Sequence, residues 1–332
     1  MAAISYINFG KRTMLVGDIQ LTSGAALYRG ITKGKHWYIA QSDYGGADTN
    51  PGTSFVGPFA TWAKVMSVVS RGDVIHLYGK VASAAAGEVT PVSTPDVTVV
   101  GHGGRPRHGN TGIPLGPKGG AAEWVNHASA TGPNLTVRSQ GWTFINILFN
   151  GHASYSQVKL ERNNDAETLA TGRNGGHAEF RNCVFVGPST YGIEDVGGNP
   201  NVGIFDCNFY GFSTSGNRAI GQSSAAVGFC VQWEIKENRF QSNDQDIANI
   251  NLMGSEIVGN HFKLISNITG ASVTNTKAIE IVGGGRDNWI ALNHMHAASN
   301  HNGVNARFVP GTNDMFAENY WSDVAEYAEP AS

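Results

Sequence analysis

The chain has 332 residues, of which 41% are hydrophobic and 15% are charged, with 43 glycines and a net charge of −3 at neutral pH. This composition provides enough apolar surface for a large core and excludes a disordered polyelectrolyte. The balanced charge gives no indication of nucleic-acid binding, and the abundant glycine favours tight turns over long helices.

The first 36 residues are basic. They carry a net charge of +4, which leaves −7 for the rest of the chain, and the basic residues are Lys11, Arg12, Arg29, Lys33 and Lys35. A basic segment ahead of an acidic body is typical of an attachment device, so we predict that residues 1–36 form an arm that binds a larger assembly. A short solvated lead-in is the alternative.

The same region has no secretory signal pattern, and no apolar run in the chain is long enough to span a membrane. We therefore expect a protein that is made in a cytoplasm and is not inserted into a membrane. The three cysteines are an odd number in a long chain, so we expect thiols and no disulfide framework.

Residues 37–79 predict a strand, a loop, a helix and a second strand. Phe59, Trp62, Met66 and Val69 recur with the period of a helix, and Gly72 follows them, which predicts an amphipathic helix near 58–70. Such a helix would cover the open edge of the first sheet layer. Residues 101–133 are rich in glycine and proline and predict a long loop.

A six-residue phrase then recurs at intervals of 22–36 residues. It occurs as FRNCVF (180–185), IFDCNF (204–209), IKENRF (235–240), IVGNHF (257–262), IALNHM (290–295) and FAENYW (316–321), with a weaker copy FINILF at 144–149. Apolar residues alternate around it, which indicates strands. Stacked units of this length predict an all-β, single-stranded parallel β-helix of about 7–10 coils over 37–325, with a tail at 326–332.

One position of the phrase predicts a polar ladder. Two residues before its last position stand Cys183, Cys207, Asn238, Asn260, Asn293 and Asn319. We expect the four asparagines at a bend, where this residue tolerates unusual backbone angles and its amide can hydrogen-bond from coil to coil. We expect the two cysteines to be small apolar members of the same stack.

The order of these features resembles the pectin-lyase-like right-handed parallel β-helix superfamily. The resemblance rests on GGADTNPGTSFVGPFATW (45–62), GDVIHL (72–77) and the N-x-F coils, and it covers about 37–325. It implies the right-handed fold, which lyases, hydrolases, epimerases and non-catalytic phage proteins share. Within it, the basic lead-in, the missing signal peptide and VTVVGHGGRPRHG (97–109) most resemble virion proteins of tailed phages.

This resemblance implies a location in the virion and a homotrimer. The implied partners are other virion proteins, namely the major capsid protein or a tail or vertex protein. It implies no cofactor and no metal. Outward tyrosines are typical of surfaces that bind sugar, which adds host-surface polysaccharide as a possible ligand; they are Tyr155, Tyr191, Tyr210 and Tyr320.

An enzyme of this fold needs either a calcium-binding acidic cluster beside a base, or two or three carboxylates on neighbouring coils. The candidates are Glu194 with Asp195, and Asp244 with Asp246. Neighbours on a strand point to opposite faces, so only one of Glu194 and Asp195 would face a groove, whereas Asp244 and Asp246 would share a face. Turn and surface roles explain all four, so we predict no catalytic residue.

The sequence thus favours a non-enzymatic structural protein of a virion, either a capsid decoration protein or a projecting fibre or tail appendage. The number of coils is small for an enzyme of the tailspike type. The alternative is a tailspike-type depolymerase, a glycoside hydrolase or polysaccharide lyase acting on host polysaccharide, with its carboxylates on the outer face or between subunits.

Overall fold

The computed structural model describes residues 5–9, 12–16, 34–103, 122–162, 174–223, 228–263, 277–296 and 308–321. The chain divides into two compact units, Met1–Thr32 and Lys33–Ser332. In the first unit, strands β1 (Ser5–Phe9) and β2 (Arg12–Val16) pair antiparallel, with Phe9 opposite Arg12. The segment predicted as an arm therefore contains a two-stranded hairpin.

The second unit is built almost entirely from strands of two to six residues. Its first strands are β3 (His36–Ala40), β4 (Val74–Tyr78), β5 (Lys80–Ala82), β6 (Glu88–Val89), β7 (Thr98–His102), β8 (Ala122–Val125), β9 (Leu135–Val137), β10 (Thr143–Ile145), β11 (Ile147–Asn150), β12 (Val158–Glu161), β13 (Glu179–Arg181), β14 (Val184–Val186), β15 (Tyr191–Val196), β16 (Gly203–Phe205) and β17 (Asn208–Tyr210).

The later strands continue the same pattern. They are β18 (Arg218–Gln222), β19 (Cys230–Val231), β20 (Glu234–Lys236), β21 (Arg239–Gln241), β22 (Gln245–Ile250), β23 (Leu252–Met253), β24 (Glu256–Val258), β25 (His261–Lys263), β26 (Lys277–Ile281), β27 (Trp289–Ala291), β28 (His294–His296), β29 (Phe308–Val309), β30 (Met315–Ala317) and β31 (Tyr320–Trp321).

Three parallel sheets run the length of this unit. Sheet A is β3-β4-β7-β10-β13-β16-β20-β24-β27-β30, sheet B is β5-β8-β11-β14-β17-β21-β25-β28-β31, and sheet C is β6-β9-β12-β15-β18-β22-β26-β29. The chain visits A, B and C in turn, and each strand pairs with the equivalent strand of the next coil. This arrangement is a right-handed parallel β-helix, which confirms the predicted fold class. A short parallel pair, β19 and β23, adds to it.

The repeated phrase occupies sheets A and B and the corner between them. Its first residues lie in register, with Phe180 opposite Ile204 and Ile204 opposite Ile235. Its last residues form a stack of buried rings in sheet B, in which Phe209 lies 4.7 Å from Phe185 and 5.0 Å from Phe240. The phrase recurs because these inward positions must match from coil to coil, while the residues between copies are free to vary.

The helix is shorter than the predicted span of 58–70. Helix α1 covers Trp62–Met66, and the Thr61 side chain caps it by accepting a hydrogen bond from the Lys64 N–H. Phe59 is not helical because its backbone pairs with β3, donating to the Tyr38 carbonyl. Trp62 is buried, 4.7 Å from the ring of Trp124. No helix in the described part of the chain has the length and apolar content needed to cross a membrane.

The span 101–133, predicted as one long loop, contains strand β8. Ala122 and Trp124 point into the core from this strand, and Trp124 pairs in register with Phe149 of the following coil. The glycine and proline residues around it concealed an alternating pattern only four residues long. Residues 104–121 lie outside the described residues.

Candidate functional site

The predicted asparagine ladder lies at the corner between sheets A and B. In each step of the ladder, the Nδ2 of one asparagine donates to the Oδ1 of the asparagine one coil later. The distances are 3.0 Å from Asn238 to Asn260, 3.0 Å from Asn260 to Asn293, and 2.9 Å from Asn293 to Asn319. Each Oδ1 also accepts the backbone N–H of the preceding ladder residue. The ladder therefore satisfies backbone donors that the tight corner leaves without strand partners.

The unusual backbone angles belong to a different position than predicted. The residue before each ladder residue is left-handed, and the ladder asparagines are not. Its φ is 51° at Asn182, 53° at Asp206, 58° at Glu237, 68° at Gly259, 57° at Leu292 and 52° at Glu318. One left-handed residue turns the chain from sheet A to sheet B, and the asparagine then satisfies the turned backbone.

The cysteines are buried thiols, as the sequence predicts for this count. The thiols of Cys183 and Cys207 donate to the carbonyls of Phe144 and Phe180, one coil earlier. They thus continue the ladder with a weaker donor. Burial raises the pKa of Cys207 well above its ordinary value, and the hydrogen bond with Cys183 adds to that shift. The Cys207 thiol is therefore protonated, and both buried thiols are suited to packing and not to nucleophilic chemistry.

Asp195, a candidate acid, faces the interior and is fully buried. Its two oxygens accept the backbone N–H groups of Gly198 and Asn199, the Asn199 and Gln222 side-chain amides, and the Cys230 thiol at 3.4 Å. The carboxylate thus holds the turn that follows β15 and ties two coils together. The catalytic role considered for it stays a prediction, but a substrate on the surface does not reach this group.

Asp244 and Asp246, predicted to share a face, are both buried at their corner. Asp244 accepts the backbone N–H of Gly216 at 2.7 Å, and Asp246 accepts the side-chain amide of Asn243 at 2.9 Å. Both carboxylates therefore hold the corner between sheets B and C. Neither lies on an open face where a polymer would bind.

The outer face of sheet C carries a different group of charges. Lys159 and Glu161 alternate along β12 with the buried Val158 and Leu160. The Nε of Arg138 donates to Glu161 at 2.6 Å, and the Nζ of Lys159 lies 3.5 Å from the same carboxylate. The Glu161 side chain is only 13% exposed, so its charge-assisted contacts with the two cations lie in a partly dehydrated setting.

Glu194 lies on the next coil of this face, directly opposite Lys159. Its carboxylate accepts the Ser156 hydroxyl at 2.5 Å. Nearby, Arg218 donates to the Tyr191 hydroxyl at 2.6 Å. Burial raises the pKa of Tyr191, Glu194 adds to this shift, and Arg218 opposes it.

We name this set the sheet C cluster. It consists of Arg138, Lys159, Glu161, Tyr191, Glu194 and Arg218. Glu161 and Glu194 lie on neighbouring strands with an offset of two residues, which separates their Cα atoms by about 8 Å. Two carboxylates on one outer face of neighbouring coils are the minimum set that a glycoside hydrolase needs. Sequence reasoning found Glu194 but missed Glu161 and Arg138, because the register that unites them follows no recurring motif.

The other predicted surface residues are scattered. Tyr210 lies on the outer side of sheet B, as predicted, but it is buried against Leu148, Val184 and Val186 and offers little surface to a sugar. Tyr320 is 39% exposed, and Tyr155 is half-buried. Among the described residues, no group of three or more His, Cys, Asp or Glu is placed to hold a metal.

Five basic residues were predicted to form the attachment segment. Lys11, Arg29 and Lys33 lie outside the described residues, and Arg12 begins β2. Lys35 is exposed just before β3, and its Nζ lies 5.8 Å from the centre of the Trp37 ring. Their role in attachment stays a prediction.

No protein-family model matches this sequence, and no curated protein is significantly similar to it. Among solved structures, a GH136 lacto-N-biosidase from Eubacterium ramulus is similar, with 13% identity, a TM-score of 0.53, and coverage of 86% of this chain and 56% of that chain. Pectate lyase Pel9A is similar at 13% identity and a TM-score of 0.42, with 88% and 78% covered. A rhamnogalacturonan lyase is similar at 14% identity and a TM-score of 0.38, with coverage of 89% of this chain and 90% of that chain.

All three neighbours are named as carbohydrate-degrading enzymes. At 13% identity, the likeness to the lacto-N-biosidase shows the fold alone. The present chain spans little more than half of the lacto-N-biosidase chain. The fold is therefore a right-handed parallel β-helix, and the activity of the chain has to be argued from its own residues.

Proposed function

We propose that this chain is a non-enzymatic structural protein of a tailed-phage virion, either a capsid decoration protein or a projecting appendage. The observation that carries the proposal is the use of the acids. Asp195, Asp244 and Asp246 are enclosed and hold backbone or amide donors of the corners. Carboxylates that hold the corners rigid in this way favour a structural role over a catalytic one.

The basic segment at the start of the sequence supports the same proposal. Its charge of +4 is opposite in sign to the −7 of the remaining chain, which suits docking on an acidic particle surface. In this proposal the partners are the major capsid protein or a tail or vertex protein, the oligomer is a homotrimer, and exposed aromatic side chains such as Tyr320 contact host-surface glycans.

Counting copies on purified particles tests this proposal. Quantitative gel densitometry against the major capsid protein should find the chain in every particle. Hundreds of copies per particle would identify a decoration protein, and a few to some tens would identify an appendage. Complete absence from particles would overturn the proposal.

A second function is favoured by the sheet C cluster. Glu161, held by two cations, and Glu194, beside Tyr191, form a carboxylate pair on a face where a polysaccharide has access. We propose depolymerisation of a host polysaccharide as the alternative, with Glu161 and Glu194 as its pair of carboxyl groups.

A reducing-end assay on host polysaccharides separates the two functions. Under the depolymerase alternative, Glu161→Gln and Glu194→Gln should each lower the rate by at least about 100-fold. Glu234→Gln, on the outer face of sheet A, is the matched control and should keep the wild-type rate. If the wild-type chain releases no reducing ends from any host polysaccharide, the alternative fails and the structural proposal stands.

A further inference from the structure

Three histidines form a hydrogen-bonded chain on the outer face of sheet A, at its first three strands. The Nδ1 of His36 lies 2.8 Å from the Nε2 of His76, and the Nδ1 of His76 lies 2.7 Å from the Nε2 of His102. The residues come from β3, β4 and β7, which are consecutive in the sheet. We name them the histidine chain. Neither the fold nor the sheet C cluster uses it.

Two tyrosines enclose this chain. The Tyr38 ring stacks 4.6 Å from His76, and the Tyr78 ring stacks 4.4 Å from His102. Ring faces are therefore covered by neighbouring rings, and ring edges are directed outward. A sugar needs an open ring face for stacking, so this surface does not suit a glycan platform. Its distinctive chemistry is the pair of N–H···N hydrogen bonds.

The number of protons that the chain holds follows from these bonds. Each N–H···N bond contains one proton between two nitrogens, and only the Nε2 of His36 and the Nδ1 of His102 remain at the ends. Neutral imidazoles carry one proton each. The intact chain therefore accepts a single additional proton, at one end. A further proton has to enter an existing bond and place two N–H groups face to face.

We propose that the histidine chain is an acid-sensitive switch. It binds one extra proton with its hydrogen bonds intact, and the next proton breaks a bond and weakens the pairing of β3, β4 and β7. The switch is independent of the proposed virion function, since it rests only on the first coils of the β-helix.

The surroundings of the chain support this behaviour. Burial lowers the pKa of His76 to about 3, with a contribution from the charges of His102 and His36, and burial lowers the pKa of His102 to about 4. Burial raises the pKa of Tyr78, so this phenol stays neutral in acid.

The charged residues at the starts of β3 and β4 are Lys35 and Asp73. The Asp73 carboxylate is directed inward, where it accepts the Lys35 backbone N–H and the Trp37 indole. Among the described residues, the charged groups that shift the pKa of His76 are the other two imidazoles, and both act against a charged ring.

The direction of the pH effect follows from linkage. A histidine in the unfolded chain has a pKa of about 6.5, so below that pH the unfolded or opened state binds more protons than the closed one. Above about pH 6.5 both states are neutral here and the switch has no effect. As the pH falls from about 6.5 toward 4, the opening equilibrium rises by up to about tenfold per pH unit for each histidine.

Hydrogen–deuterium exchange of the full chain, corrected for intrinsic rates, tests the proposal. Opening of β3, β4 and β7 should increase between about pH 6.5 and 4, by at least about tenfold per pH unit, relative to β24 in a later coil. In His76→Gln, which interrupts the histidine chain, the same strands should lose most of this pH dependence, and the part that remains comes from the burial of His102. His127→Gln, an exposed histidine near the same end of the β-helix, is the control and should behave as wild type.

Two further measurements keep the test decisive if His76→Gln does not fold. In His36→Gln, at the exposed end of the chain, one hydrogen bond is missing. The slope of the logarithm of the opening equilibrium against pH should therefore decrease by about one, which corresponds to one proton fewer taken up on opening. Nitrogen-15 NMR of labelled histidines should show a single proton taken up across the three imidazoles before the strands open. Three independent titrations near about pH 6.5 in a closed structure would overturn the switch.

Discussion

Asn238 and Asn260 are 22 residues apart in sequence, and two hydrogen bonds of 3.0 Å join them in adjacent coils. The Oδ1 of Asn260 accepts both the side-chain amide and the backbone N–H of Asn238. At the same time the Nδ2 of Asn260 donates to the Ile235 carbonyl at 2.8 Å. One side chain thus serves two coils, and its role depends on both the oxygen and the nitrogen of the amide.

Asn260→Ala should therefore lower the free energy of unfolding by about 2–4 kcal/mol, because it leaves buried donors on Asn238 and the Ile235 carbonyl without partners. Chemical denaturation would measure the loss. Ser213→Ala, at an exposed position between sheets B and C, is the control and should change stability by less than about 0.5 kcal/mol. Equal effects of the two substitutions would contradict the ladder's role.

The ring stack of sheet B leads to a second prediction. Phe209→Ala should cost about 3–5 kcal/mol, since it removes a ring in contact with Phe185 and Phe240 on both faces and leaves a cavity. Phe209→Leu keeps most of the volume and should cost less than about 2 kcal/mol. Thermal or chemical unfolding would show whether the order of the two variants is as stated; a larger loss for leucine would argue against the stack.

The thiols should be inert in the folded protein. Burial raises the pKa of Cys207 and of Cys230, and the Asp195 charge adds to the shift at Cys230. We expect a thiol reagent at neutral pH to label almost none of the three cysteines in the native state and all of them in denaturant. Rapid labelling of the native protein would show that these residues are more accessible than the structure indicates.

Asp195 and Glu161 separate a structural acid from a surface acid. Asp195→Asn places an amide N–H against donors, and we expect a loss of about 2–4 kcal/mol with no dependence on added polysaccharide. Glu161→Gln leaves the fold in place and should cost less, about 1–2 kcal/mol, because the Glu161 side chain on the outer face of sheet C is 13% exposed and not fully enclosed. Denaturation curves for both variants, with and without polysaccharide, would test the distinction. A destabilisation by Glu161→Gln equal to that of Asp195→Asn would contradict it.

The left-handed position before the ladder offers a stabilising change. Leu292 has a φ of 57° and is 56% exposed. Its backbone is therefore strained, and its side chain gains little stabilisation from burial. Leu292→Gly should raise the free energy of unfolding by about 0.5–1 kcal/mol, as glycine tolerates this backbone. Ala291→Gly, one position earlier in strand β27, should do the opposite. The melting temperatures of the two variants would decide the sign.

Much of the coil architecture was predictable, because the inward positions of the repeated phrase are few and strongly selected by packing. The phrase predicted the register of Phe185, Phe209 and Phe240 and the succession of ladder asparagines. The second ladder was not predictable. It passes from Ser255 to Asn288 and Asp314, three different residue types whose oxygens each accept a backbone N–H one coil earlier.

Which acidic side chains are buried also could not be predicted from the sequence. Alternation predicts that Glu194 and Asp195 face opposite sides of the strand, but it does not say which one is inside. The turn of Gly198 and Asn199 returns two N–H groups toward Asp195, and this selects the interior side. Likewise, the pairing of Arg138 with Glu161 depends on a register of strands that are 23 residues apart.

The uninterrupted pairing of sheets A, B and C has a mechanical consequence. Hydrogen bonds between neighbouring strands point along the axis of the β-helix, so a force that pulls on its two ends is carried by one coil interface after another in series. Failure at any interface leaves two shorter stacks, each with its own core. Under tension the β-helix should therefore lengthen in discrete steps, with one coil unfolding at a time.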